Sequence, residues 1–395
     1  MTDKYRKWLC KSLKIVWAGS FFGVIGLSGC SNSQPPVDSG TVSEQGREQP
    51  VSFTEAQEEM DIADFQMNSI PVSIPEGVKA IPQGISNTGM IALSLENEQG
   101  YTGVGCFDSR TQTFERIEQL DFENKETSYY LAGINDTYIL VGRAIPVDSG
   151  YVNTVLAYDF TSQQVQTIVE YLTFFPDHAI GTFADSSLYL NYRDGESYKT
   201  FRYAEPLNTE SSVVVFPENS GSPVEMDGNL YCIEMEQESQ TTTLWKMDLN
   251  GDNKQEILSS QAADGWFSNL LKWKNWLVLT RASADGSATE ILKVNPDLKD
   301  YEVIETVDGF IDSPQIGLDL MIWWNPWDLG ERIHTKYSVF DLKTSSYIEY
   351  RESILFVSDY GIVWVKFTKN ESDIPKGMIF EPDNSEIMLF RSQLQ

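Results

Sequence analysis

Short apolar runs recur along the chain at nearly constant spacing, and no long stretch carries the three-and-four periodicity of an amphipathic helix. The strongest runs read MIAL, YILV, LYLN, LYCI, WLVL, LMIW and GIVW. One equivalent position in each is Ile91, Ile139, Leu188, Leu230, Leu277, Met321 and Ile362, separated by 48, 49, 42, 47, 44 and 41 residues. A second apolar strand follows each run at Phe107, Tyr158, Tyr203, Met247, Val294, Phe340 and Phe380, offset by 15 to 19 residues. A third begins near Ile117, Ile168, Val213, Ile257, Ile304, Ile348 and Leu389. Hairpin residues such as Asp108-Ser109-Arg110-Thr111 and Leu249-Asn250-Gly251-Asp252 lie between the second and third. A weaker strand precedes each strong one, as in Gly181-Thr182-Phe183, Leu270-Leu271-Lys272-Trp273 and Ile354-Leu355-Phe356-Val357.

Four strands in about 45 residues, repeated seven times, predict an all-β chain folded as a seven-bladed β-propeller of four-stranded blades. The repeats fall at roughly 78–120, 121–172, 173–218, 219–260, 261–307, 308–352 and 353–395, within a body spanning 61–395. Six or eight blades stay open, because terminal repeats are usually atypical. Residues 61–84 are placed to supply a strand to the last blade, since an unclosed ring leaves two exposed edges. The segment from Leu244 to Leu258, with its Asp248-Leu249-Asn250-Gly251 turn, resembles the strand, Asp-x-x-Gly turn and strand of TolB-like and lipoprotein-receptor-type propellers. Other repeats depart from it, with Ala204 and Glu381 where Asp159 stands in the second repeat. The resemblance implies a propeller that binds or scaffolds, and it assigns no catalytic residue.

The N-terminus has a different pattern. Lys4, Arg6, Lys7, Lys11 and Lys14 precede an apolar stretch from Ile15 to Leu27, too short to span a bilayer as a helix. It ends in Leu27-Ser28-Gly29-Cys30, which resembles the bacterial lipoprotein signal, where the Cys is acylated and the peptide is cleaved before it. Residues 1–29 are therefore read as a lipoprotein signal peptide and Cys30 as the lipidation site. The segment 30–60, rich in Ser, Gln, Gly, Pro and Glu, is read as a disordered, flexible linker. The expected location is the outer side of the cell membrane, held by acyl chains such as palmitate.

Charge narrows the partners. The 395 residues carry 29 Lys and Arg against 58 Asp and Glu, a net charge of −29. Such a surface repels nucleic acid and does not dock electrostatically on anionic lipid. Of the four cysteines, Cys106 and Cys232 lie in apolar strand contexts and read as free buried thiols.

Recognisable reaction chemistry is sparse. The two histidines, His178 and His334, fall in different repeats, so no histidine metal cluster is expected, and no cofactor or metal ligand is assigned. No GxSxG, P-loop or GxGxxG motif occurs, which leaves a serine triad and nucleotide binding without support. Asp248, Asn250 and Asp252 alternate as in a calcium loop, but Asn253 replaces the required Gly and Ser259 the closing Glu. Ser283-Ala284-Asp285-Gly286 is one residue short of an Asp-box.

Six tryptophans fall between positions 266 and 327. Trp323 and Trp324 are adjacent, so on a strand they face opposite ways and one is expected at the surface. Trp327 sits in a turn-rich segment beside Asp328. Trp323, Trp324 and Trp327 are thus the candidate ligand-binding residues, suited to a sugar ring or a peptide, although strand packing explains an isolated Trp equally. The function that follows is a lipid-anchored extracytoplasmic binding or scaffolding module for an envelope protein, peptide or glycan. The alternative is a polysaccharide-active propeller enzyme, a lyase or glycosidase, with carboxylates around the central channel. A third reading, a structural member of an envelope complex, requires a large exposed apolar patch.

Overall fold

The computed structural model describes residues 67–392 apart from 77, 98–101, 121–126, 178, 185–186, 195–196, 205–206, 208–213, 216–222, 237–238, 325–335, 352 and 367–386. The lipoprotein signal, Cys30 and the linker lie outside the described residues, as do His178, His334, Trp327 and Phe380. Among the described residues no helix is long and apolar enough to cross a membrane.

Seven separate four-stranded antiparallel sheets form the body, a seven-bladed β-propeller. Blades 1 to 6 occupy residues 78–116, 128–173, 180–215, 224–261, 266–308 and 312–351, each with its strands in chain order. The register reproduces the spacing of the apolar runs. Ile91 pairs with Phe107, Ile139 with Tyr158, Leu188 with Tyr203, Leu230 with Met247, Leu277 with Val294 and Met321 with Phe340. The expected strand partners are therefore directly opposite one another on the second and third strands of these six sheets.

Blade 7 departs from this order. Its first two strands are Ser353–Val357 and Gly361–Lys366, and its third is Ile387–Ser392, where Phe390 lies opposite Ile362. Leu389 thus belongs to the third strand, not to the outermost as its repeat position suggested. The outermost strand is Met67–Pro71, which pairs with Ile387–Ser392 and closes the ring. The long separation of residue 366 from residue 387 in sequence hid this register.

The core is divided among the interfaces. Seven apolar clusters each join two neighbouring blades. Successive residues of a strand point to opposite faces, so Ile91, Leu93 and Leu95 enter the cluster shared with blade 7 while Met90 and Ala92 enter the one shared with blade 2. This explains the near-continuous apolar second strands: both faces of each sheet are buried. Cys106 and Cys232 are free and buried, and burial, ahead of the nearby carboxylates, pushes both thiols up to about 12. They behave as small apolar side chains.

The described part of the cluster between blades 3 and 4 is the smallest, and a buried polar group lies beside it. The Tyr189 hydroxyl donates to Glu225 at 2.6 Å, and the Arg202 guanidinium donates to Tyr189 at 3.2 Å while lying 3.8 Å from the Glu225 carboxylate. In the outermost strands of blades 2, 4 and 5 a bulge falls at Ile168, Ile257 and Ile304, where ladder pairing skips one residue. Each bulged isoleucine packs on an apolar cluster.

Alternation of strand direction gives the ring two unlike ends. One, the lower end, carries the turns between first and second strands and between third and fourth. At the third-to-fourth turns the carboxylates of Asp108, Asp159, Asp248 and Asp341 and the Asn295 carbonyl accept backbone N–H groups two or more residues ahead, at 2.7–3.3 Å. Asp248 and Asp252 are thus part of a hairpin turn.

Lower-end turns also tie blades together. Asp136 accepts the Thr88 N–H at 2.8 Å, Asn87 accepts the Asp359 N–H at 3.0 Å, and Asp359 accepts the Leu318 N–H at 3.2 Å. At the seam between blades 1 and 7, Ser358 donates to the Ser86 carbonyl at 2.9 Å and Ser109 to the Tyr360 hydroxyl at 3.0 Å. Gly89 turns there at φ +86°, and a Cβ would lie 2.4 Å from both Ser109 and the Tyr360 ring.

Asp319 in blade 6 accepts the Trp273 indole N–H of blade 5 at 2.8 Å and pairs with Lys274 and Lys343, each at 2.5 Å. Burial would raise this carboxyl, but the hydrogen bonds from Lys274, Lys343 and Trp273 outweigh it and hold it at about 2. A folded-state value below that of the unfolded chain contributes stability above about pH 4, lost as pH falls towards 2. Both lysines are more than half exposed, so the contribution is roughly 1 kcal/mol after screening. Asp319→Asn is accordingly expected to melt about 1–2 °C below the wild type at pH 7, with the gap closing as the buffer is taken from pH 5 to pH 2 in thermal denaturation.

Candidate functional site

The upper end carries the turns between second and third strands and the connections between blades. In blade 2 the strands Tyr138–Val147, Gly150–Asp159 and Gln164–Thr173 are each ten residues long, longer than any other strand among the described residues. At the hairpin tip Gly150 takes φ +141°, and a Cβ would lie 2.2 Å from the Thr173 carbonyl and 3.1 Å from the Phe174 Cα. Glycine lets the tip press against the segment that leaves the fourth strand.

That segment, Thr173-Phe174-Phe175-Pro176-Asp177, is pinned from beneath. Asn153, almost fully buried, donates to Thr173 Oγ1 at 2.6 Å and accepts the Asp177 N–H at 3.0 Å. Thr173 donates in turn to the Phe175 carbonyl. The buried Asp177 carboxylate accepts the Tyr171 hydroxyl at 2.8 Å and the Arg193 N–H of blade 3 at 3.2 Å. This network turns the polar side chains inward and leaves the apolar ones outside. Phe174 is 79% exposed, Phe175 58%, Leu172 58% and Val147 41%. Asp148 and Glu170, both exposed, flank them.

The tryptophan candidates are placed differently. Trp323 is 1% exposed in the cluster between blades 5 and 6, with Tyr347 5.7 Å away, so its ring is not open to a ligand. Its neighbour Trp324 faces the other way and packs, partly buried, on the cluster between blades 6 and 7. A propeller blade has two buried faces, so both indoles pack on apolar clusters, Trp324 less completely than Trp323. Trp273 and Trp276 flank a lower-end turn, with Lys293 over the Trp276 ring.

Asp312 begins the innermost strand of blade 6 at the upper end. Burial raises its carboxyl against the hydrogen bond from Ser313. Among the described residues no three His, Cys, Asp or Glu side chains converge to hold a metal. Asp285, in the would-be Asp-box, is held at about 2 by backbone and side-chain hydrogen bonds from Ser287 and one from Ser283, a self-contained turn.

No protein-family model matches the chain, and no curated protein matches it in sequence. Solved structures do. An oligogalacturonate lyase in complex with manganese superimposes with a TM-score of 0.53 at 11% identity, over 83% of this chain and 98% of its own. The β-propeller domain of the trilobed protease from Pyrococcus furiosus, described as having an open velcro topology, gives 0.51 at 11% identity over 72% and 91%. TolB from Acinetobacter baumannii gives 0.45 at 8% identity over 73% and 82%. Likeness at this identity extends to the propeller fold alone.

The Phe174–Phe175 surface was missed in the sequence because the run Tyr171-Leu172-Thr173-Phe174-Phe175 resembles one more strand end. The signal lay in Phe-Phe-Pro at a repeat boundary, where turn residues stand elsewhere. Substituting Asn153 by Ala leaves the Asp177 N–H without its acceptor and Thr173 without its donor. A loss of about 1–3 kcal/mol in urea denaturation is expected, with hydrogen exchange rising most at residues 174–177.

Proposed function

We propose that this propeller is a lipid-anchored extracytoplasmic binding module, without catalysis of its own, that presents its upper end to a ligand. The observation that supports this reading is the rigid display of Phe174 and Phe175. A soluble surface rarely keeps two adjacent phenylalanines exposed on a pinned backbone unless they meet something. The chain direction agrees. Met67 lies opposite Ser392 and Pro71 opposite Met388, so the segment preceding Met67 joins at the lower end. The chain thus enters the ring at the end opposite the phenylalanines, and a tether joined there leaves them uncovered.

Two measurements test the reading. Cells expressing the full chain with an alkyne-bearing palmitate are expected to label it, and Cys30→Ser is expected to abolish the label and the partitioning into a detergent phase. The purified protein incubated with oligogalacturonate, with and without manganese, is expected to release no unsaturated product. Turnover there would replace the binding reading with the lyase reading.

A further inference from the structure

We propose that the surface of Val147, Leu172, Phe174 and Phe175 is a docking site for a protein partner whose contacting segment combines apolar side chains with Lys or Arg. The inference rests on the binding reading and adds the class of partner, which the surface chemistry selects by elimination.

A sugar needs hydrogen bonds to its hydroxyls as well as an apolar face. Phenylalanine offers no polar edge, unlike Trp or Tyr. The polar side chains that hold this segment are already engaged, Asn153 with Thr173 and Asp177, Thr173 with Phe175, and Asp177 with Tyr171 and Arg193. What remains open is apolar carbon rimmed by the carboxylates of Asp148 and Glu170. A second copy of the chain would bring another net charge of −29 against the first, and an anionic lipid surface is repelled in the same way. A segment with its own positive charge is attracted over distance and then buries the rings, a combination that uses both features of the site.

The surface is also prepared for binding. Gly150 and the Asn153, Thr173 and Asp177 network fix the backbone under both rings, so little conformational freedom is lost on docking. The strand alternation sets the Glu170 carboxylate and Leu172 on one face, and Phe174 and Phe175 follow directly where the strand ends at Thr173.

The test uses the protein with defined probes. A fluorescent amphipathic peptide of Leu and Lys is titrated into the wild type, into Phe174→Ser/Phe175→Ser and into Asp148→Asn/Glu170→Gln. Saturable binding is expected, weakened at least about tenfold by the double Phe substitution at unchanged melting temperature. The charge variant and added salt should each weaken it by about two- to fivefold. A matched Leu and Glu peptide, neutral oligosaccharides and anionic vesicles are expected not to bind through the patch. Peptide binding indifferent to the Phe substitutions overturns the proposal, as does equal binding of the Glu peptide. So does patch-dependent capture of sugar or vesicles, or self-association lost on Phe substitution.

A second arm places photoreactive benzoylphenylalanine at position 174 of the anchored chain on intact cells. Adducts with protein segments rich in Lys or Arg support the proposal. Adducts with glycan or with a second copy overturn the partner class while the binding reading stands, and the absence of any macromolecular adduct removes both.

Discussion

Burial of both faces of every sheet is the constraint from which the rest follows. A four-stranded sheet in a ring has a neighbour on each side, so consecutive residues of a strand enter different cores. Ile91 packs towards blade 7 and Met90 towards blade 2; Trp323 packs towards blade 5 and Trp324 towards blade 7. The stability of one blade is therefore not separable from that of the next, and a ring with a missing strand exposes two apolar faces as well as a hydrogen-bonding edge. Met67–Pro71 pairing with Ile387–Ser392 answers that problem by joining the start of the described chain to its end.

With the interior given over to packing, distinctive chemistry is left to the ends. The lower end is bound up in itself. Its carboxylates cap hairpin turns or tie adjacent blades, and Asp319 alone holds an indole and two lysines. At the upper end the described part of blade 2 carries exposed phenylalanines where the lower-end turns carry Asp or Asn. Polar groups beneath Phe174 and Phe175 are buried and mutually bonded, an inversion of the usual arrangement in which apolar groups lie below and polar groups above.

Much of the fold was legible because a repeated register leaves a repeated spacing. Six of the seven strand pairs stand residue for residue where the spacing placed them, down to Leu277 opposite Val294. The seventh failed at a long insertion, where Phe380 took the place that Phe390 occupies in the register. The candidate site was much less legible. Tryptophan was favoured for its size and its polar edge, but size is also what a two-sided core uses, and Trp323 was drawn into it. Phe174 carries no chemical motif, and the backbone beneath it is held by Asn153, twenty-one residues earlier, reaching from the third strand to the end of the adjacent fourth. Contacts of that kind follow from the ring and leave no local signature.

The central claim is that the pinned phenylalanines are covered when the protein is at work. Hydroxyl-radical footprinting tests it by comparing the purified protein with the same chain anchored on intact cells. Leu298 and Tyr301, exposed on blade 5, serve as references. The account predicts that Phe174 and Phe175 are oxidised in the purified protein and protected on cells while the references react equally in both. Equal oxidation of the two phenylalanines in both states would contradict it.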